Sequence, residues 1–311
     1  MSKSITFENL ITEYKSSEIN SLTSDSLNNL KEQIIETIKT RNVLKSFLHS
    51  LEKELLKDNK RLKWRMFFPF GKKIFNKQIA YLKEQIETNE NKISDKKKEL
   101  SNVFISTAIP NNENIISKFI TLKEMFNKLS LSEFVWDITT SQFIDRVKLR
   151  SAASNAINRR RVNILFSSVD IIKSDEEAFH FQNANGGDIY IYPSMIIIVS
   201  PDKEFALLDY RDISLNYSES HFVEEENFPT DSQQVGTTWA KVNKDGSKDR
   251  RFSNNYQIPI ALYGQLHWES QKGFNEVYQF SNSISAEQFY SAFMEYKRCI
   301  MPTRREIKFE H

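Results

Sequence analysis

The sequence predicts an α+β chain: an N-terminal antiparallel helical hairpin, a coiled coil folded on itself, then an antiparallel β-barrel or sandwich capped by a C-terminal helix. Three observations carry this. Apolar residues first recur at alternating three- and four-residue steps, the period turns strand-like near residue 161, and a marked helix start lies at Ser285.

The first apolar series runs through Leu27, Leu30, Ile34, Leu44, Leu48, Leu51, Leu55 and Leu62, with Thr37, Arg41 and Asp58 interrupting it. No Gly or Pro occurs between Met1 and Phe68, so nothing stops a long helix. A second series runs through Phe75, Ile79, Leu82, Ile86, Ile93, Leu100 and Val103, with Asn89 and Lys96 as polar steps. Both are heptads, which bury a narrow seam within one chain or between copies, so homo-oligomerisation through the coiled coil stays open. Pro69 and Gly71, in Phe-Phe-Pro-Phe-Gly, end the first helix and turn the chain. The expected hairpin spans 26–105 with arms of roughly 50 Å. Residues 1–25 form a separate N-terminal segment, with a short helix expected from Phe7 to Tyr14.

The hairpin tip gathers Trp64, Met66, Phe67, Phe68, Phe70 and Phe75 among Lys63, Arg65, Lys72 and Lys73. Rings with cations at one end of a rod suit an anionic membrane surface or a partner. The rings would equally serve to cap the hairpin or pack on the chain itself.

Residues 106–160 read as a helical connector, with a break at Pro110 and a helix from Ile115 to Leu129. Arg146, Lys148, Arg150, Arg159, Arg160 and Arg161 make its end cationic. Without interleaved aromatic residues this favours the solvated face of a linker helix over nucleic-acid binding, which is weakly supported.

The β-domain is placed at 161–301. Short strands are expected at Val162–Phe166, Val169–Ile172 and Phe179–Phe181. Asn185-Gly186-Gly187-Asp188 is a turn, and Pro193 implies a bend, bulge or edge within Ile189–Val199. Strands at Phe205–Tyr210 and Ile213–Tyr217 precede a long acidic loop at 219–234, in which Glu224, Glu225 and Glu226 would either shield the basic turn at 244–251 or, as is commoner, simply be solvated. Further strands fall at 237–242, 258–268 and 274–281. Ser285 with Gln288 reads as a capping box and Ile284 with Phe289 as a hydrophobic staple; Phe289, Phe293, Tyr296 and Ile300 line one buried face. Residues 302–311 are a tail.

Between Trp239 and Trp268 the chain makes a basic, Asn-rich excursion: Lys241, Lys244, Lys248, Arg250 and Arg251 against Asp245 and Asp249, followed by Asn254 and Asn255. Asp245-Gly246 is a tight-turn pair. The functional reading is a loop facing a lipid headgroup, a phosphate or an acidic protein surface. The plainer one is a solvated turn in which Asp249 pairs with a neighbouring Arg.

At 311 residues, 39% apolar and 12% aromatic, the chain can bury a core, and 43 Lys+Arg against 41 Asp+Glu leave no global pull toward nucleic acid. One cysteine, Cys299, excludes an intramolecular disulfide and suits a reducing compartment. His49, His180, His221, His267 and His311 stand at no metal-ligand spacing, and no phosphate loop, dinucleotide fingerprint or Gly-x-Ser-x-Gly occurs. No cofactor, metal or catalytic residue is therefore expected. The first residues lack a signal peptide's apolar core and no run approaches a membrane span, so a cytoplasmic protein with peripheral inner-membrane contact is expected.

Antiparallel strands in two groups closed by one amphipathic helix resemble pleckstrin-homology-like domains over 161–300. GDIYIYPSMIIIV with FALLDYRDISLNY is similar to a strand-turn-strand pattern of bacterial members, and WAKVNKDGSKDRRFSNNYQIPIALYG to a segment of uncharacterised bacterial β-domains. The resemblance implies a binding module rather than an activity. The basic first hairpin of lipid-binding eukaryotic domains is not matched, since the turn at 185–188 carries Asp188 and no cation. The expected function is a non-enzymatic adaptor or sensor whose β-domain binds an acidic protein, phosphate-bearing polymer or lipid, with the rod as spacer, in a setting such as bacterial defence or stress. Docking to membrane through the tip is the alternative, and a cryptic nuclease or hydrolase, or its recognition subunit, the second.

Overall fold

The computed structural model describes residues 11–144, 151, 153 and 155–303. Two compact units emerge: Asn29–Ser106 with Asp170–Lys173, and Met1–Asn28 with Thr107–Val169 and Ser174–His311.

The first unit is the hairpin. Helix α1 (Asn28–Phe67) is followed by a single turn, α2 (Gly71–Ile74), and by α3 (Asn76–Asn102). Leu44, Leu48 and Leu51 of α1 and Ile79, Leu82, Ile86 and Ile93 of α3 are buried, as the heptads require. Arg41 interrupts the seam for a reason. Its guanidinium donates to the carbonyls of Val103 (2.7 Å) and Leu100 (3.4 Å), capping the end of α3. With 40 and 27 residues the helices span about 60 and 40 Å, not two equal arms.

The second unit is a pair of antiparallel sheets over a helical core. Its strands and those beside it run, in chain order, β1 (Ile11–Glu13), β2 (Ile105–Thr107), β3 (Val135–Phe143), β4 (Asn155–Arg161), β5 (Ile164–Phe166), β6 (Ile172–Ser174), β7 (Phe179–Phe181), β8 (Asp188–Ile191), β9 (Ile196–Val199), β10 (Phe205–Leu208), β11 (Ile213–Val223), β12 (Gln233–Trp239), β13 (Gln257–Ser270) and β14 (Asn275–Phe280). A five-stranded meander has the order β10-β9-β8-β7-β5, and β2 pairs with β6. In the seven-stranded sheet β11, β13, β14, β3 and β4 lie side by side, while β12 continues along β13 and β1 along β3. Among the described residues no pairing joins the two larger sheets.

Helices α4 (Glu113–Ser130) and α5 (Ser283–Thr303) supply much of the core. Phe126 of α4 stacks on Phe179 of β7 at 4.6 Å between centroids, and Phe293 of α5 meets Trp268 of β13 edge-on at 5.0 Å. Helix and sheet approach closely at Gly264, where a Cβ would stand 2.6 Å from that of Ala286.

Several expectations are corrected. Residues 7–10 lie outside the described residues, and Ile11–Glu13 is strand, paired with Thr140–Gln142. Among the described residues the connector at 106–160 is helical over Glu113–Ser130 alone; Asn155–Arg161 pairs with β3 as an edge strand, where cations discourage further pairing. The bend expected at Pro193 is present: it is the turn between β8 and β9, closed by the bond from Tyr192 N to Met195 O, which breaks the apolar run in two. The expected loop at 219–234 is strand at both ends, because small and polar residues alternate along β11. Asn282, not Ser285, caps α5: its Oδ1 accepts from Ser285 N, and Ile284 is exposed, so no staple forms.

The outer face of the seven-stranded sheet closes over an ion pair. Arg159 of β4 donates to Glu224 Oε2 (2.7 Å) and Gln279 Oε1 (3.0 Å), and its guanidinium lies 3.9 and 4.0 Å from the ring centroids of Trp136 and Phe222. Tyr263 donates to the same carboxylate oxygen at 2.6 Å; burial, then this bond, drives its hydroxyl pKa far up. Glu224 therefore neutralises Arg159 and does not screen the basic loop. Arg159→Ala, which strands a buried carboxylate, should cost about 3–5 kcal/mol in denaturant unfolding. A loss below about 1 kcal/mol would show that the pair is dispensable.

Candidate functional site

The excursion after β12 is a tied loop on the β-domain. Asn255, buried, accepts from Lys241 N (3.0 Å) and donates to the carbonyls of Lys241 (2.7 Å) and Asp249 (3.2 Å). Asn243 Nδ2 donates to Ser247 Oγ and Lys248 O, and Asp245 Oδ1 accepts from Ser247 N across Gly246, whose φ is +84°. These bonds hold the loop in one conformation with little apolar core beyond Val242.

The cations of this loop divide by role. Buried Asp249 accepts from the backbone N of Arg251 (3.1 Å) and twice from its guanidinium, at 2.9 and 2.8 Å, which raises the guanidinium pKa further. Lys248 Nζ lies 4.3 Å from the Trp239 ring centroid. Lys241, Lys244, Arg250 and Asn254 are exposed. A cleft of about 430 Å³ lies between Lys241, Arg251, Asn254 and Tyr256, with Glu225 on its wall, and one of about 550 Å³ beside Lys248 and Arg250. Of the nine residues from Lys241 to Asp249, the two at the ends and Asn255 beyond them thus set the frame. The outward charge is Lys241, Lys244, Arg250 and the far side of Arg251.

The hairpin tip is a separate surface on the other unit. Trp64, Phe68 and Phe75 pack on one another with centroids 5.5–6.1 Å apart. Beyond that base, Phe67 is 86% exposed, Phe70 80% and Ile74 62%. Phe70 also has φ +59°, the left-handed region that a ring-bearing residue enters only at a cost. Lys63, Lys72 and Lys73 are exposed around it. Among the described residues no helix is long and apolar enough to cross a membrane.

Of the cationic run after β3, Arg146, Lys148 and Arg150 lie outside the described residues. Arg161 stacks on Phe134 at 3.5 Å and Arg160 donates to Ala184 O at 3.4 Å. His180 bonds Asp188 at 2.9 Å, and His267 bonds Asn275 at 2.8 Å. Among the described residues no three His, Cys, Asp or Glu side chains are grouped to hold a metal ion.

Residue patterning missed a buried polar seam between β3, β14 and the 182–188 turn. Asp137 Oδ2 accepts from Ala184 N (2.8 Å), and Glu276 Oε1 accepts from Ser16 N (3.1 Å) and its hydroxyl. Among the described residues Asp137 Oδ1 and Glu276 Oε2 lack a hydrogen-bond partner of good geometry, although the Asn183 side chain lies near enough to Glu276 to favour its charged form. Burial raises the carboxyl of Asp137 to about 6 and that of Glu276 to about 7, the latter also through the charge of Asp137. A lone carboxylate in each apolar run, Val-Trp-Asp-Ile and Asn-Glu-Val-Tyr, was the available signal.

No family model, curated protein or solved structure matches the chain.

The two raised carboxyls set a direction for pH. The folded state holds protons that the unfolded chain has released, so their contribution is complete below about pH 4 and is lost as pH rises through 6 and 7. Tm should fall by several degrees between mildly acidic and mildly alkaline buffer. Glu276→Gln should flatten that slope; an identical slope in the variant would contradict the assignment.

Proposed function

We propose that the protein is a non-enzymatic adaptor with one contact surface on each unit, the basic loop on the β-domain and the aromatic, cationic tip on the helical rod. The observation that carries this reading is the tip. Among the described residues Phe67 and Phe70 are largely exposed and Ile74 mostly so, and Phe70 holds an unfavourable backbone conformation. Such a surface is stable chiefly when something covers it.

The β-domain reading rests on order and on charge. A meander β5 to β10, a second set β11 to β14 and a final helix support a pleckstrin-homology-like module, to which β1, β3 and β4 add strands. On that module the loop, tied by Asn255 to the backbone of Lys241 and Asp249, presents the exposed Lys241, Lys244 and Arg250 from an ordered backbone, a degree of preorganisation that anion recognition benefits from. Phosphoinositide chemistry is not the proposal, because the 185–188 turn offers Asp188, already bonded to His180. An acidic protein surface is the expected ligand class.

Arg251 is a poor choice for testing the loop, since its removal would take two charge-assisted bonds from buried Asp249. Lys244→Glu combined with Arg250→Glu changes two exposed side chains only. On an immobilised polyglutamate matrix the wild-type chain should be retained and the double variant should bind about tenfold more weakly at low salt, with Tm unchanged. Equal retention would remove the loop from the proposal.

A further inference from the structure

We propose that the tip is covered by an anionic lipid bilayer, into which Phe67, Phe70 and Ile74 insert while the surrounding Lys and Arg side chains engage headgroups. This rests on the docking reading above and names its partner. From 59 to 83 the sequence has eight cations, Lys60, Arg61, Lys63, Arg65, Lys72, Lys73, Lys77 and Lys83, and no Asp or Glu, although the whole chain nets only +2. Only Arg61 is engaged by a nearby carboxylate, that of Asp58 at 3.1 Å, among the described residues.

Charge decides between the occupants. A second copy docking tip to tip would bring two such cationic collars together around one apolar contact, and their repulsion opposes what ring burial gains. An anionic bilayer reverses that sign: each Lys or Arg near its surface is attracted to it, and burial of the Phe rings adds to that attraction.

Shape points the same way. A helix docking in a protein groove offers one stripe of residues three and four apart. Here Met66, Phe67 and Phe68 are consecutive and all exposed, so successive 100° steps turn them in different directions around the helix end, and Phe70 and Ile74 continue beyond it. A fluid apolar phase accepts such an all-round surface; a groove accepts one side of it. Trp64, beside the base of the cluster and 62% exposed, stands where an interfacial indole belongs. Insertion is shallow, because the turn α2 is four residues long and the exposed positions of the flanking helices are mostly charged or polar, with Leu56 and Tyr81 among the isolated exceptions.

The test uses the full chain with vesicles of phosphatidylcholine alone and vesicles with phosphatidylglycerol added. Wild type should float with the anionic vesicles at least about tenfold more than with the neutral ones, and less as salt rises. Phe67→Asp with Phe70→Asp, and separately Lys72→Glu with Lys73→Glu, should each abolish flotation. Melting curves matching wild type would confirm that both variants fold, as expected for exposed positions. Absence of wild-type flotation on anionic vesicles, or full flotation of the Phe67→Asp, Phe70→Asp variant, overturns the lipid proposal. Sedimentation then separates it from the docking reading: self-association of wild type that this variant loses would leave docking standing with a second copy as occupant. If wild type neither floats nor self-associates, and cell extracts contain no complex that the variant loses, both readings fall.

Discussion

The second unit depends on one continuous stack of rings. Phe119 and Phe126 of α4 lie on Phe179 of β7; Phe126 touches Phe181 and Phe289; Phe289 and Phe293 of α5 meet Trp268 of β13. Each ring removes a large apolar area from water, and together they join both sheets through two helices. Strand pairing alone would leave the sheets unconnected among the described residues, so their association is a matter of side-chain packing. The Arg159 knot serves the opposite face of the larger sheet. There a guanidinium between two rings replaces an apolar cover, and the charge is neutralised by a carboxylate that two donors hold in place.

Much of this was legible in the sequence, element by element. The heptad seams predicted α1 and α3 because a narrow apolar stripe has only one good use in a long breaker-free segment. The face Phe289, Phe293, Tyr296 and Ile300 predicted α5 for the same reason, and all four are buried. Strand-like alternation located β7, β13 and β14. What escaped was pairing between distant stretches. Ile11–Glu13 and Asn155–Arg161 carry weak or misleading local patterns, and they are strands because β3 offers a free ladder on each side of its length. Local periodicity contains no information about that offer.

The candidate sites divide along the same line. The tip could be read directly, since consecutive aromatics at a helix end between cations are conspicuous whatever they touch. In the basic loop the composition was legible but the roles were not. Lys248, Arg251 and Asn255 look equivalent to Lys244 and Arg250 in the sequence, yet one lies on Trp239, one is bonded to a buried carboxylate, and one is interior. Glu224 was hidden in an acidic triplet whose other members are partly or fully exposed.

The helical rod interrupts its host domain: residues before Asn29 belong with those after Ser106, apart from Asp170–Lys173, which belong with the rod. A ribosome therefore completes the hairpin, whose contacts are local, while strands such as β13 and β14 have not yet been made. For that interval β1 has no ladder to join, while the exposed aromatic residues of the tip have already been synthesised. Whatever receives the tip has the first opportunity to engage this chain, before the rest of the molecule exists to compete.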